Sequence, residues 1–285
     1  MQEEKIKKIV RESYAKVASS GSSCGCAPGG NCCGQTGLEK EISANIGYSQ
    51  EELDKVPDGS NLGLGCGNPT AMASLKKGEV VLDLGSGAGF DCFLAAEKVG
   101  QEVKVIGVDM TPEMIEKARD NAAKGNYKNI EFRLGEIENL PVAEGAIDRI
   151  ISNCDINLSP EKNRVFTEAF RVLKPGGRIM VSDIVLSKEL PDFIKNNNSA
   201  YVSCISGAIN KDDYLDAIRK AGFTSVKITD EISFLLQYIV SDSTAPIFSN
   251  DLNLSKNQVK DLEDSILSIK VSAVKPKSWK YPLVF

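Results

Sequence analysis

The sequence predicts a doubly wound α/β fold on a mostly parallel sheet, and three observations predict it. Short apolar runs alternate with amphipathic helical patterns from Val80 onward. A glycine-rich turn follows the first of those runs, and seven strand-like segments appear in all. Continuous apolar runs are what a strand buried on both faces requires, and strand–helix alternation builds parallel sheets.

The first strand is Val80-Val81-Leu82-Asp83-Leu84-Gly85, followed by a helix over Phe90 to Val99. Lys104 to Asp109 is the second strand. Thr111-Pro112-Glu113 then starts a helix to Lys124, with Thr as cap and Pro in the first turn. Ile130 to Leu134 and Ile147 to Ser152 are strands three and four. A helix from Pro160 to Leu173 is expected to stop at Lys174-Pro175-Gly176-Gly177, before a fifth strand over Arg178 to Val185. Lys211 to Ala221 reads as a helix closed by Gly222, and Val226 to Thr229 and Ser268 to Ala273 as the last two strands, separated by a mostly helical excursion. Outside this core, Lys5 to Val17 is an amphipathic helix, Leu38 to Leu53 is partly helical, and Leu190 to Ile209 is a helical insertion with a loop. Ala18 to Gly37 carries too little apolar surface to pack alone. The organisation expected is therefore 1–70 as an N-terminal helix and cysteine-rich region, 71–188 as the ligand-binding core, and 189–285 as an insertion plus the end of the sheet. The N- and C-terminal additions should form a lid.

Composition excludes several function classes. The 285 residues, 42% hydrophobic and 26% charged, suit a soluble globular enzyme. A formal charge of -5 offers no platform for nucleic acid. No apolar stretch of about 18 residues and no signal-like N-terminus is found, so a cytoplasmic protein without a membrane span is expected. Histidine is absent altogether, which removes imidazole metal ligands and His-based triads. Eight cysteines in a chain of this length read as reduced thiols with chemical work rather than a secreted disulfide scaffold.

Asp83-Leu84-Gly85-Ser86-Gly87-Ala88-Gly89-Phe90 places a glycine turn between the first strand and its helix, where bare backbone can approach a ligand. A dinucleotide fingerprint would need its third glycine where Phe90 stands, which disfavours a pyrophosphate site. Asp109, at the end of strand two, is placed to accept hydrogen bonds from ribose hydroxyls. Asp83, Gly85-Ser86-Gly87-Ala88-Gly89, Asp109 and Lys174-Pro175-Gly176-Gly177 together resemble the class I S-adenosylmethionine-dependent methyltransferases. That resemblance implies a seven-stranded sheet. It also implies a S-adenosylmethionine site drawn from Asp83, Gly85, Ser86, Gly87, Gly89, Asp109 and Met110, with Gly135, Glu136 and Ile137 around the adenine. Asn153, at the end of strand four, should lie beside the same ligand.

The cysteines fall in unusual places. Cys66, Cys154 and Cys204 sit in polar or glycine-rich loops, whereas Cys92 looks like ordinary helix packing. Strand ends define the ligand crevice of such a fold, so Cys154 should flank it while Cys66 and Cys204 close over it from opposite sides. Three converging thiolates suit a soft three-coordinate element such as trivalent arsenic or antimony, whose lone pair can attack a sulfonium methyl. Zinc competes for the same atoms, although the paired knuckle spacing of most structural zinc sites is missing. Each thiol taken alone is more often a small buried hydrophobe, a reading that weakens when three occupy polar loops of one expected crevice. Cys24, Cys26, Cys32 and Cys33 form a separate cluster, open to thiol exchange, to a zinc or adventitious metal site, or to no redox role.

Across nearly its whole length the chain resembles the arsenite S-adenosylmethionine methyltransferases. The carrying segments are Gly63-Leu64-Gly65-Cys66-Gly67-Asn68-Pro69, Asp83 to Cys92, Gly107-Val108-Asp109-Met110-Thr111, Ser152 to Leu158, and Cys204-Ile205-Ser206-Gly207-Ala208. The resemblance implies stepwise methylation of trivalent arsenic held by Cys66, Cys154 and Cys204. It also implies a thiol relay through an N-terminal cysteine, turned over by thioredoxin or glutathione. Spacing places that relay at Cys32 or Cys33, with Cys24 and Cys26 as alternatives. A monomer is expected. Asp155 departs from the apolar residue usual in the family, and either raises the pKa of Cys154 or points into solvent. The chain also lacks the cysteine-rich tail of larger homologues. A methyltransferase for a small organic substrate, and a non-catalytic arsenite-binding protein, are the rival readings.

Overall fold

The computed structural model describes residues 2–20, 38–195, 197–233 and 262–278. Seven strands form one sheet in the order β3-β2-β1-β4-β5-β7-β6. They are β1 (Val81–Leu84), β2 (Val105–Asp109), β3 (Ile130–Leu134), β4 (Ile147–Asn153), β5 (Leu173–Leu186), β6 (Thr224–Ser233) and β7 (Ile266–Val274). The first five are parallel, and β7 runs antiparallel between β5 and β6. The chain runs outward from β1 through β2 to β3 and then crosses back to place β4 on the other side of β1, which opens a crevice at the carboxyl ends of these strands.

Alternate residues of each central strand feed two cores. Val81, Val105 and Ile151 meet Phe93, Ala96, Ile115 and Ala118 on α5 (Phe90–Val99) and α6 (Pro112–Lys124). On the other face, Leu82, Ile150, Ile179 and Val181 meet Val165, Phe166 and Phe170 on α7 (Lys162–Val172), and Tyr214 and Ile218 on α10 (Lys211–Lys220). All four residues of β1 are buried, Asp83 among them, as a strand covered on both faces requires.

The fifth strand differs from expectation. It begins at Leu173, and Lys174-Pro175-Gly176-Gly177 lies inside it as an irregularity. Pro175 has no N–H to donate, and Gly176 bends the chain at φ +81° while bonding the Lys275 carbonyl at 2.9 Å.

Before β1 come α1 (Gln2–Ser20), α2 (Leu38–Asn45), α3 (Gln50–Lys55) and α4 (Pro69–Met72). Ser49 and Glu52 form a capping box on α3. Two short helices, α8 (Asp192–Lys195) and α9 (Asn198–Val202), make up the insertion after β5. Helix α1 lies against α6 and α9: the Lys117 ammonium donates to the Ala18 carbonyl at 3.2 Å, and the Tyr14 hydroxyl to the Val202 carbonyl at 3.2 Å. Among the described residues no helix is long and apolar enough to cross a membrane.

Candidate active site

The turn after β1 is built for close approach. Gly85, Gly87 and Gly89 have φ of +74°, +49° and +95°, which side-chain-bearing residues rarely adopt. Asp109 at the tip of β2 holds the turn, accepting from the Gly87 N–H at 2.9 Å and the Thr111 N–H at 2.8 Å. Three chambers with shared walls surround the turn. One is lined by Tyr48, Asn61, Asp83, Gly85, Phe90 and Asp91. The next reaches Val10, Tyr14, Asp109 and Met110, and the last Gly135, Ile137, Glu138 and Ser159.

Carboxyl groups dominate this cleft. Burial, then the neighbouring Asp91, lifts the pKa of Asp83 far above the ordinary carboxylate range, and the Cys92 thiol donates to Asp83 at 3.3 Å. Asp91 is raised to about 6 by burial, opposed by hydrogen bonds from Tyr48 and Asn153. Burial likewise raises Asp109 and Asp155. Such a cluster suits a cationic ligand, whose charge would favour the ionised carboxylates. The Ser86 hydroxyl, buried in the turn, has no hydrogen-bond partner among the described residues. A sulfonium-bearing amino acid nucleoside fits this donor and acceptor set.

Asn153 does more than flank the crevice. Its side-chain oxygen accepts from the Cys66 N–H at 3.0 Å, and its Nδ2 donates to the Gly67 carbonyl and the Tyr48 hydroxyl, both at 2.8 Å. It therefore ties the Cys66 loop to the end of β4. Gly67 lets that loop sit on β5, since a Cβ there would lie 2.0 Å from the Ser182 hydroxyl. Ser268 Oγ donates to the Cys66 carbonyl at 2.9 Å and completes the seat.

Cys66, Cys154 and Cys204 meet in one buried cluster with Val10, Leu158 and Ile205. The Cys66 thiol lies 3.8 Å from the Ser182 hydroxyl, and both Cys204 and Cys66 raise the pKa of Cys154. Cys204 Sγ also donates to the Cys154 carbonyl at 3.0 Å. Donor atoms of Cys66, Cys154 and Asp183 lie within 4.8 Å of one another. Both Cys154 and Cys204 have φ of +62°, a left-handed conformation that costs a non-glycine residue about 1–2 kcal/mol. Strain of this kind persists where the surroundings demand it, and it clusters at functional sites. The neighbouring thiols and burial hold the pKa of Cys154 well above the ordinary thiol value, and that of Cys204 is also raised.

Beneath the sulfurs, Asp183 accepts from the Tyr214 hydroxyl at 2.9 Å and the Ile184 N–H at 2.9 Å, and burial raises its pKa to about 7. Asp155 follows neither expectation: it leans over Gly85, where a Cβ would lie 2.0 Å from its carboxyl carbon, lines the cleft, and raises the pKa of Cys204.

Of the residues expected from sequence, Asp83, Gly85, Ser86, Gly87, Asp109, Met110, Gly135, Ile137 and Asn153 line the cleft, and the three loop cysteines adjoin it. Gly89 acts as the start of α5, where a Cβ would press on Phe93 and Phe132. Glu136 is turned to Lys7 at 2.8 Å, not into the cleft wall. Cys24, Cys26, Cys32 and Cys33 lie outside the described residues. Sequence reasoning missed Lys7, Val10 and Tyr14 on α1, and also Tyr48, Glu138 and Asp183. The amphipathic pattern of Lys5 to Val17 was the one local signal for the first group.

A family model described as a methyltransferase domain matches residues 75–222. The chain is 44% identical over 279 residues to an arsenite methyltransferase of Halobacterium salinarum, covering 96% of this chain and 67% of that protein. It is 39% identical to one from Aquipseudomonas alcaligenes, over 78% of this chain and 63% of the relative. The mouse arsenite methyltransferase is 36% identical over 62% of this chain and 49% of its own length. The chain thus spans about two thirds of the first relative and less of the other two. A crystal structure of an arsenic(III) S-adenosylmethionine methyltransferase from Chlamydomonas reinhardtii superposes with a TM-score of 0.62 at 30% identity, over 85% of this chain and 75% of that one.

Proposed function

Because this chain belongs to the S-adenosylmethionine-dependent arsenite methyltransferase family, we propose that it methylates trivalent arsenic held by Cys66, Cys154 and Cys204. The observation that carries the proposal is the gathering of Cys66, Cys154 and Cys204 in one buried cluster, with Cys154 on the wall of the cleft beside the glycine turn. S-adenosylmethionine, when bound, supplies an electrophilic methyl carbon. Asp83, Ser86, Asp109 and the glycine turn would hold it, with Gly135 and Ile137 at the adenine end.

Cys154 and Cys204 are protonated at neutral pH, as their raised pKa values require. Each can therefore replace a hydroxyl of arsenous acid with release of water, and no external base is needed. Arsenic bound by three sulfurs keeps its lone pair, and the cluster fixes where that pair points. Alignment of that pair with the methyl carbon is the chain's main contribution to rate. The new arsenic–carbon bond takes the place of the sulfonium carbon–sulfur bond, whose electrons remain on S-adenosylhomocysteine. Returning arsenic to the trivalent state takes two electrons, which a pair of thiols supplies on becoming a disulfide. Cys32 or Cys33, with Cys24 and Cys26 as alternatives, serves that relay, and thioredoxin or glutathione closes it. The chain works as a cytoplasmic monomer in this reading.

Purified protein incubated with arsenite, S-adenosylmethionine and a dithiol should yield methylated arsenic on speciation. A folded protein that binds both ligands and forms none would refute the proposal. Zinc is a second reading of the same atoms, favoured by the grouping of two sulfurs with an Asp183 oxygen. It predicts stoichiometric zinc in the purified protein and loss of structure at the thiol cluster on chelation.

A further inference from the structure

Toward the amino-terminal ends of the parallel strands, away from the thiols, lies a second cavity of about 290 Å³. Arg149, Arg178, Met180, Ser225, Lys227 and Ser272 are among its lining residues. Arg149 and Cys154 are five residues apart on and just beyond β4, about 16 Å in an extended strand, so this cavity is no part of the cleft described above.

Arg149 and Arg178 are partners in the β4–β5 register, so their side chains stand together on one face. The Arg178 guanidinium forms no hydrogen bond or ion pair among the described residues, and its Nη2 is buried without a partner. Arg149 gives one nitrogen to Glu79 and another to the Asp148 carbonyl at 2.8 Å, which leaves its Nε buried and bare. Burial and the adjacent Arg178 charge both depress the Arg149 pKa. Ser225, at a register irregularity of β6, is held at φ +52° on the cavity wall. Among the described residues Glu79 is the one carboxylate bonded to the arginine pair. With Lys227 included, two positive charges remain uncompensated.

Unsatisfied buried guanidinium nitrogens and abutting like charges are both unfavourable, and one tetrahedral dianion relieves both. We propose that this cavity is a phosphoryl-binding site, with Arg149 and Arg178 gripping the oxygens and Lys227 and the wall hydroxyls adding donors. Paired planar forks match phosphate geometry, and a single carboxylate would leave one charge unbalanced. The volume approaches the lower end of small-molecule pockets, about 300 Å³, which leaves room beyond the phosphoryl group itself. A small phosphomonoester therefore fits as well as inorganic phosphate.

Calorimetric titration of the full chain with inorganic phosphate, glycerol 3-phosphate and glycerol, at constant ionic strength, tests this. Saturable binding is expected for both phosphorylated ligands and not for glycerol. Tighter binding of glycerol 3-phosphate would identify the ester as the source chemistry, and tighter binding of inorganic phosphate the free ion. Arg178→Gln should weaken binding about tenfold or more, the loss expected for a charge-assisted hydrogen bond, while Arg178→Lys weakens it less. S-adenosylmethionine affinity should be unchanged in both variants. Because the Arg178 guanidinium has no partner to lose among the described residues, Arg178→Gln should fold, and phosphate should raise the melting temperature of the native chain but not of this variant. The proposal is overturned if neither ligand saturates the native chain, or if binding survives both Arg178→Gln and Arg149→Gln. Should Arg178→Gln misfold, equal affinity in Arg178→Lys and Arg149→Lys would overturn it instead.

Discussion

Cys154 and Cys204 combine three properties that seldom coincide: left-handed backbone, burial, and a raised thiol pKa. Protonated thiols have a consequence for binding stoichiometry. Arsenous acid taken up by S–H groups expels water and should release no net proton near pH 7, whereas zinc would displace a proton from each thiol it binds. Calorimetry in two buffers of different ionisation enthalpy separates the cases, and a buffer-dependent heat with arsenite would contradict the thiol assignment. Replacing Cys154 or Cys204 by serine should lower methylation by more than about 100-fold, beyond the 10–100-fold typical of losing a group that only orients a ligand. Gly85 gives a steric test at the same scale. Alanine there combines an unfavourable φ of +74° with a Cβ at 2.0 Å from Asp155. Gly85→Ala should abolish detectable S-adenosylmethionine binding, and adding Asp155→Ala should restore part of it, because the second change removes only the collision. Equilibrium dialysis with labelled ligand reads both.

At the scale of elements, α1 is the part whose role depends most on partners elsewhere. Its Lys7 ammonium meets Glu136 at 2.8 Å, Glu138 at 3.3 Å and Glu161 at 3.8 Å. Glu138 is buried and also accepts from the Ser159 hydroxyl at 2.5 Å. Lys7→Ala leaves that carboxylate without its counter-charge, a change of about 3 kcal/mol when one partner of a buried pair is removed. The expected result is faster amide exchange across residues 2–20 and weaker S-adenosylmethionine binding, with the central strands unaffected. Uniform protection in both proteins would show that α1 does not cover the cleft. Each helix of the core could be read from periodicity, and α5 begins and ends where the pattern places it, at Phe90 and Val99. The start of β5 could not, because a Lys-Pro-Gly-Gly stretch carries turn chemistry whether it precedes a strand or kinks one.

For the molecule as a whole, buried carboxyl groups set a pH dependence of stability. Asp183 is raised to about 7 and Asp91 to about 6, against an ordinary value near 3.8. A carboxyl that holds its proton more tightly when folded stabilises the fold fully below its unfolded pKa, and that contribution fades as pH rises through the folded value. Stability should therefore decline between about pH 4 and pH 7 on account of these groups. At about 1.4 kcal/mol for each unit of pKa, Asp183 alone accounts for roughly 4 kcal/mol. Denaturant melts at pH 5 and pH 8 should differ less in Asp183→Asn than in the native chain, and an unchanged difference would refute the assignment. The wider lesson concerns distance along the chain. Apolar runs, the glycine turn and the acidic tip of β2 are local signals of burial, backbone freedom and ligand polarity, so the amino-acid order alone determined the sheet and the methyl-donor cleft. Whether Cys204 would reach Cys154, 50 residues away, or Asn153 hold Cys66 across 87, was decided only in three dimensions. Lys7 closing on Glu136 and Asp183 settling under the sulfurs belong to the same class. Contacts of that kind follow from how packed layers bring remote loops together, and no periodicity within a single segment carries that information.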